Sequence, residues 1–324
     1  MDALPTIDLQ PLWDSPQGVN IVAEQIKLNF KNLGFAYIKN HKISDTLLKN
    51  MFQAAKDFHA LPLKAKTKIL QNKAFRGYLP INTSQIKVST QGSTRSKAKH
   101  PNFTEAFIMM FDIDENHQDY VNGNYLAGPN QWPIEMPQLK LIMTKYRDAM
   151  IDLSLKIVEV FSVAFGLKAT ALNQFFVDPT FFLRLHRYPR QSNNMLEDQF
   201  GIAPHTDVGF MTLVAQDDIG GLQVKHPTQG WINVPNIPGT FVLNAGDIMQ
   251  RWTNGVFTSS VHRVLNDPIQ DRYSVPFFFD PNMHAMIELL QTPLISGCSE
   301  FEPIMYGDYV MNRVKRNYSR LQTK

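Results

Sequence analysis

Apolar residues recur every third or fourth position in three stretches of the first half of the chain, the spacing of a helix with one buried face. The first is Ile21–Leu33, with Ile21, Val22, Ile26, Phe30 and Leu33 on the stripe. Gly34 ends it, and Phe35-Ala36-Tyr37-Ile38 reads as a short strand. Ser44 is placed to cap a second helix through Leu47, Leu48, Met51, Phe52, Ala55 and Phe58, stopped by Pro62. The clearest helix is Gln138–Phe165, striped by Ile142, Tyr146, Met150, Leu153, Ile157, Val160, Phe161 and Ala164. Pro137 before it and Gly166 after it match the usual start and stop residues. Between these, residues 71–133 are polar and broken by Gly and Pro, which predicts loops and short strands.

From about Phe181 the period shortens. Runs of β-branched and aromatic residues alternate with Gly, Pro, Asn and Asp turns at Phe181–Tyr188, Phe210–Val214, Leu222–Lys225, Thr240–Asn244, Val256–Val264 and Arg272–Phe279. Many short strands at close spacing predict a sandwich or barrel. Tyr306–Tyr318 reads as a closing helix.

Composition narrows the chemistry. A chain of 324 residues, 44% hydrophobic and 19% charged, has enough apolar surface for a large core. A net charge of +3 is too small to indicate nucleic acid. The basic runs Lys87–Lys99 and Arg313–Lys324 read as a solvated loop and a solvated helix face. The single cysteine, Cys298, excludes a disulfide framework and thiolate metal sites, and reads as structurally incidental. Any metal must therefore sit on imidazoles and carboxylates. The first residues lack the pattern of a signal peptide, and no stretch approaches 18 apolar residues, so a cytoplasmic protein without membrane contact is expected.

In Pro204-His205-Thr206-Asp207 an imidazole and a carboxylate stand two positions apart beside the strand-like Phe210–Val214. Residues i and i+2 of a strand share a face, so both side chains project together. A second such pair, His117-Gln118-Asp119, lies in a polar run and reads as surface loop. His262, in the strand pattern Thr258–Val264, supplies a third group. Two neutral imidazoles and one carboxylate suit non-haem Fe(II) and leave open positions for small molecules. His226 and His284 compete for the third place from turn contexts.

Ten residues after His262, Arg272 and Ser274 share one strand face. If that face is buried, the guanidinium requires a partner, either an internal carboxylate or one brought by a ligand. Arg184, His186 and Tyr188 share a face of Phe181–Tyr188, where Tyr188 is either a second donor to such a carboxylate or a core ring.

Taken together, the chain resembles the iron- and 2-oxoglutarate-dependent oxygenases, in the branch of isopenicillin N synthase, plant flavonoid oxygenases and aminocyclopropane-carboxylate oxidase. The resemblance rests on His205-Thr206-Asp207, Gly220-Gly221-Leu222-Gln223-Val224, Trp231, Asn244-Ala245-Gly246-Asp247, Thr253-Asn254-Gly255, His262-Arg263-Val264, Arg272-Tyr273-Ser274 and Phe277-Phe278-Phe279. In the N-terminal third, Leu4–Leu9, Gly34-Phe35, Asn40-His41, Leu61-Pro62 and Arg76-Gly77-Tyr78 follow the family order. It implies a mainly β protein with flanking helices around a double-stranded β-helix, a cupin-like jelly roll. It also implies one oxygenase domain over 1–324: a mixed helical region at 1–110, a connecting region with the long helix at 111–178, the jelly-roll core at 179–283 and a closing segment at 284–324.

The same resemblance implies Fe(II) on His205, Asp207 and His262, with 2-oxoglutarate chelating the metal and its distal carboxylate on Arg272, Ser274 and Tyr188. His186 stands where the family often has an asparagine that helps hold the keto acid, so it is a contact to co-substrate or to substrate. Oxidative decarboxylation to succinate and CO2 would drive C–H oxidation of a small molecule by O2, most often hydroxylation, with ascorbate as a candidate reductant. The rival readings are an iron oxidase of this fold that uses no 2-oxoglutarate, and a non-enzymatic binding module. Asp207 argues against a halogenase, which needs a small residue there. Phe107, Phe210, Phe279 and Tyr78 are the expected substrate-pocket residues, and the Gln85–Pro101 segment a cover for the site. A monomer is slightly favoured.

Overall fold

In the computed structural model, residues 4–86, 98–191, 196, 198–295 and 297–317 are described. Most of the Gln85–Pro101 segment thus lies outside the described residues.

The N-terminal third contributes strand β1 (Thr6–Asp8), helices α1 (Gln10–Asp14) and α2 (Gly18–Asn29), and strand β2 (Phe35–Lys39). Helices α3 (Asp45–Ala60) and α4 (Leu63–Thr67) follow, then strands β3 (Gly77–Leu79) and β4 (Glu105–Met110). The short helix α5 (Gln118–Val121) precedes the long α6 (Gln138–Ala164), and a 3-10 turn covers Asn173–Phe176. The core strands are β5 (Thr180–Tyr188), β6 (Ile202–His205), β7 (Met211–Gln216), β8 (Leu222–His226), β9 (Gly230–Asn233) and β10 (Thr240–Ala245). Helix α7 (Asp247–Trp252) leads to β11 (His262–Val264) and β12 (Arg272–Asp280). Strands β13 (Met286–Ile287) and β14 (Ile304–Met305) and helix α8 (Tyr306–Asn317) close the described chain.

Two sheets form the jelly roll. The larger has the order β1-β2-β10-β7-β12-β5-β4-β3, and the smaller β6-β11-β8-β9. One face of the large sheet turns toward the small sheet. The other is packed by helices, with α2 and α3 against α6 and α3 against β5 and β12. A dense aromatic core fills that side, where Phe161, Phe210, Phe176 and Trp252 meet edge to face at 5.2–6.2 Å. Among the described residues no helix is long and apolar enough to cross a membrane.

The helix expectations hold in place and differ at the ends. Ser44 caps α3, its side chain accepting from the Leu47 amide at 3.2 Å. Helix α2 starts earlier than the Ile21–Leu33 stripe and stops at Asn29, leaving Ile21 exposed. The chain reverses at Gly34, at φ +63°, where a Cβ would lie 1.9 Å from the Thr258 carbonyl oxygen, so only glycine fits. The expected strand Val256–Val264 is a strand only from His262. Its first half leaves α7 through Asn254 and Gly255, both at positive φ, which breaks any extended run. Helix α7 has six residues, too few to show a helical period in the sequence.

Candidate active site

The register of the sheets assembles the site. His205 ends β6 and is paired directly with His262 at the start of β11. Asp207 lies just beyond β6, and the first turn of α7 seats on its loop: the amides of Gly246, Asp247 and Ile248 donate to the carbonyls of Phe210, Asp207 and Gly209 at 2.8–2.9 Å. The Nε2 atoms of His205 and His262 stand 3.7 and 3.6 Å from Asp207 Oδ1. Among the described residues this is the group of three whose ligand atoms all lie within 4.8 Å of one another.

The neighbours of these groups set which atoms remain free. His205 Nδ1 donates to the Ala203 carbonyl at 2.8 Å and His262 Nδ1 to the Ser260 carbonyl at 3.2 Å. Each Nδ1 then carries the proton, and each Nε2 lone pair faces the centre. Burial, reinforced by His262, pushes His205 down to about 3, so it is a neutral imidazole at physiological pH. Asp207 Oδ2 accepts from Thr212 Oγ1 at 2.6 Å and Asn244 Nδ2 at 2.7 Å, leaving Oδ1 for the centre. Burial opposes ionisation of Asp207, yet the two imidazoles and these hydrogen bonds hold its carboxyl below the usual range. The donor set of two neutral nitrogens and one carboxylate oxygen fits a divalent iron. Thr212→Val, which keeps the shape and removes the donor, is expected to weaken Fe(II) affinity about 10–100-fold, read by metal titration.

A second cluster forms where β5 pairs with β12. Arg272 opposes Tyr188 and Ser274 opposes His186, so all four share the inner face. Arg272 is 1% exposed. Its Nη2 donates to Gln216 Oε1 at 3.0 Å, while Nε and Nη1 have no hydrogen-bond partner. The guanidinium lies over the Tyr188 ring, 4.7 Å from its centroid. No carboxylate of the described residues forms a salt bridge with it. A buried cation with two unpaired donors is costly unless an anion completes it. His186 is buried beside Tyr188, its ring stacked at 5.5 Å, and Nδ1 lies 3.3 Å from Thr104 Oγ1. Burial and then the nearby cation Arg184 push it well below the ordinary histidine range.

One cavity joins the triad to this cluster. The aromatic residues expected to line it do not. Phe107, Phe210 and Phe279 sit in the helix-side core at 0% exposure. Tyr78 is buried too, and its hydroxyl donates to Glu105 Oε2 at 2.5 Å, beside Lys66 and Arg187. The error is one of phase. Alternate residues of a strand face opposite sides, so Phe278 and Phe182, paired across β12 and β5, reach the cavity while Phe279 and Phe181 face the helices. The competing histidines lie elsewhere: His226 accepts from a turn amide, and His284 stands against Asp119 on an exposed surface. His117 caps the short helix α5 rather than lying in a plain loop.

Several functional neighbours carried no local signal. Asp247 is fully buried; it pairs with Arg313 of α8 at 3.0 Å and accepts from Tyr309 Oη at 2.9 Å. Arg313 also donates to Thr206, between His205 and Asp207, at 3.2 Å. The C-terminal helix thereby braces the loop that carries Asp207. Arg313, read in sequence as part of a solvated face, is in fact buried, because the ion pair is made across 66 residues. Gly209 leaves room for Asp280, whose Oδ1 would lie 1.7 Å from a Cβ there and accepts from the Phe210 amide.

The model of the 2OG-Fe(II) oxygenase superfamily matches residues 179–281. That of the N-terminal region of non-haem dioxygenases in morphine synthesis matches residues 4–135. A homoarginine-6-hydroxylase from Glycine max is 32% identical over 98% of this chain and 97% of its own. A clavatol oxidase from Penicillium crustosum is 30% identical over 98% and 97%. The crystal structure of a full-length Neurospora crassa protein in complex with alpha-KG superposes with a TM-score of 0.82 at 27% identity, covering 96% of both chains.

Proposed function

The chain belongs to the 2OG-Fe(II) oxygenase superfamily, and on that premise we propose that His205, Asp207 and His262 hold its iron and that Arg272, with Ser274 and Tyr188, receives the distal carboxylate of 2-oxoglutarate. It is a 2-oxoglutarate-dependent non-haem iron dioxygenase. Bound there, Fe(II) with 2-oxoglutarate and O2 supplies C–H oxidation coupled to formation of succinate and CO2.

The observation that carries the residue assignment is the Arg272 guanidinium, buried with Nε and Nη1 unpaired in the same cavity as the triad. A dicarboxylate satisfies both ends at once: one carboxylate completes the buried cation, and the keto-acid end reaches the metal. Tyr188 and Ser274, whose hydroxyls stand 3.5 Å apart, are placed to donate to the same anion. His186, kept neutral, lies between this anion site and Arg184, where it orients a ligand without adding charge. The apolar walls, including Phe35, Val214 and Leu222, exclude water from the centre. The substrate of this reading is a small molecule taken into the cavity between the two sheets and α8, and hydroxylation is the outcome that the reading favours.

The test is direct. Purified protein given Fe(II), 2-oxoglutarate and O2 is expected to release succinate slowly without substrate and faster when a screened metabolite is accepted. Absence of Fe(II) binding and of succinate would remove the assignment of these residues.

A further inference from the structure

We propose that Arg184 is the substrate anchor of this enzyme, binding a carboxylate while Phe75 and Phe278 hold the apolar body of the same molecule. The inference rests on reading the triad cavity as the active site.

Arg184 lies on the inner face of β5, in phase with Phe182, His186 and Tyr188, and lines the cavity. Its Nε is buried with no hydrogen-bond partner. No ion pair with it is formed by any described carboxylate. The other carboxylate of the cavity wall, Asp280, is engaged by the Phe210 amide and by Tyr306. A guanidinium with a desolvated, unpaired donor is costly, and a bound anion is what would offset it.

Its position is held by rings rather than by charges. The guanidinium carbon stands 5.0 Å from the Phe278 ring centroid and 5.7 Å from that of Phe75. A ring face attracts the guanidinium charge without accepting the hydrogen bonds that a carboxylate would take. Packing of this kind orients the group and leaves its donors for a ligand.

Phe75 is itself set deliberately. It has φ +65°, a conformation that a bulky side chain rarely adopts. The turn that imposes it is pinned by the next residue: Arg76 is 1% exposed and donates to the carbonyls of Ala74, Leu126 and Phe111. The Arg76 contacts hold this strained turn and so fix the Phe75 ring at the cavity wall.

Arg184 and Arg272 serve different anions. Arg272 is paired across the sheet with Tyr188, four residues beyond Arg184 on one strand, or about 13 Å at ~3.3 Å per residue. His186 stands between them. A carboxylate is favoured over a phosphate because a single unpaired arginine offers one fork, matched to one carboxylate, among otherwise mostly apolar neighbours.

Calorimetric titration of the full chain with 3-phenylpropanoate and cyclohexaneacetate, against their primary amides, tests the assignment. The carboxylates are expected to bind at least tenfold more tightly than the amides. Arg184→Gln is expected to erase that preference and leave amide affinity unchanged; Arg184→Lys should keep part of it. The 2-oxoglutarate affinity of Arg184→Gln should match that of the unaltered protein. Equal binding of acid and amide, no binding of either, or a preference that survives Arg184→Gln would overturn the proposal. So would an equal loss of 2-oxoglutarate affinity, which would make Arg184 a co-substrate residue. The acid–amide comparison needs no variant and stands if a variant misfolds. Failure of the unaltered protein to bind 2-oxoglutarate would instead strike the reading of Arg272, a separate result.

Discussion

His262→Ala is expected to lower Fe(II) affinity and succinate formation by more than about 100-fold, while the protein stays folded. The bound is set by comparison: loss of a group that merely orients a ligand typically costs 10–100-fold, and a direct ligand costs more. The fold should survive because His262 contributes little else to it. Its Nδ1 makes a 3.2 Å bond to the Ser260 carbonyl, and its ring packs on Phe35 at 5.3 Å. The strand pairing of β11 with β6 and β8 is made by backbone groups that alanine keeps. Metal titration, succinate release and near-ultraviolet circular dichroism check the three parts. Unchanged Fe(II) affinity would show that the metal sits elsewhere.

Arg272→Met is expected to weaken 2-oxoglutarate binding by roughly 30- to 4000-fold, with Fe(II) affinity unchanged. Breaking a buried, hydrogen-bonded charge pair costs about 2–5 kcal/mol, and each 1.4 kcal/mol is tenfold. Methionine keeps much of the apolar stem and removes the fork. Without 2-oxoglutarate the substitution should cost little stability, because the native guanidinium already leaves Nε and Nη1 unpaired, and what is lost is the bond to Gln216 and the packing over the Tyr188 ring. A thermal melt with and without 2-oxoglutarate separates the two effects. Co-substrate stabilisation should vanish in the variant, and a melt that still rises with 2-oxoglutarate would show that another group binds it.

Much of the site was legible because its parts are short-range patterns. Arg272 and Ser274, like Arg184, His186 and Tyr188, were assigned common faces from a two-residue period, and the two pairs that meet across β5 and β12 do share one face. The groups that orient the triad were not legible. Asn244 and Asp247 stood inside recognisable runs without a role, since what they touch comes from far along the chain. Asn244 reaches Asp207 across 37 residues, and Arg313 reaches Asp247 across 66. The pocket aromatics failed for a related reason. Phe277-Phe278-Phe279 shows that rings alternate, but all three are apolar, so nothing local tells which faces the cavity.

Residue type and local period therefore determined the donor chemistry available: imidazoles and carboxylates without thiolates, an arginine paired with a hydroxyl, and strands that present both to one side. These follow from backbone geometry over a few residues, which the order of side chains specifies directly. Which side became the cavity was decided only by the tertiary structure. Helices α3 and α6 cover one face of the large sheet, so the other face alone remains for the small sheet, the triad and the two arginines. That choice depends on packing between elements distant in the chain, and a period of two leaves it open by symmetry.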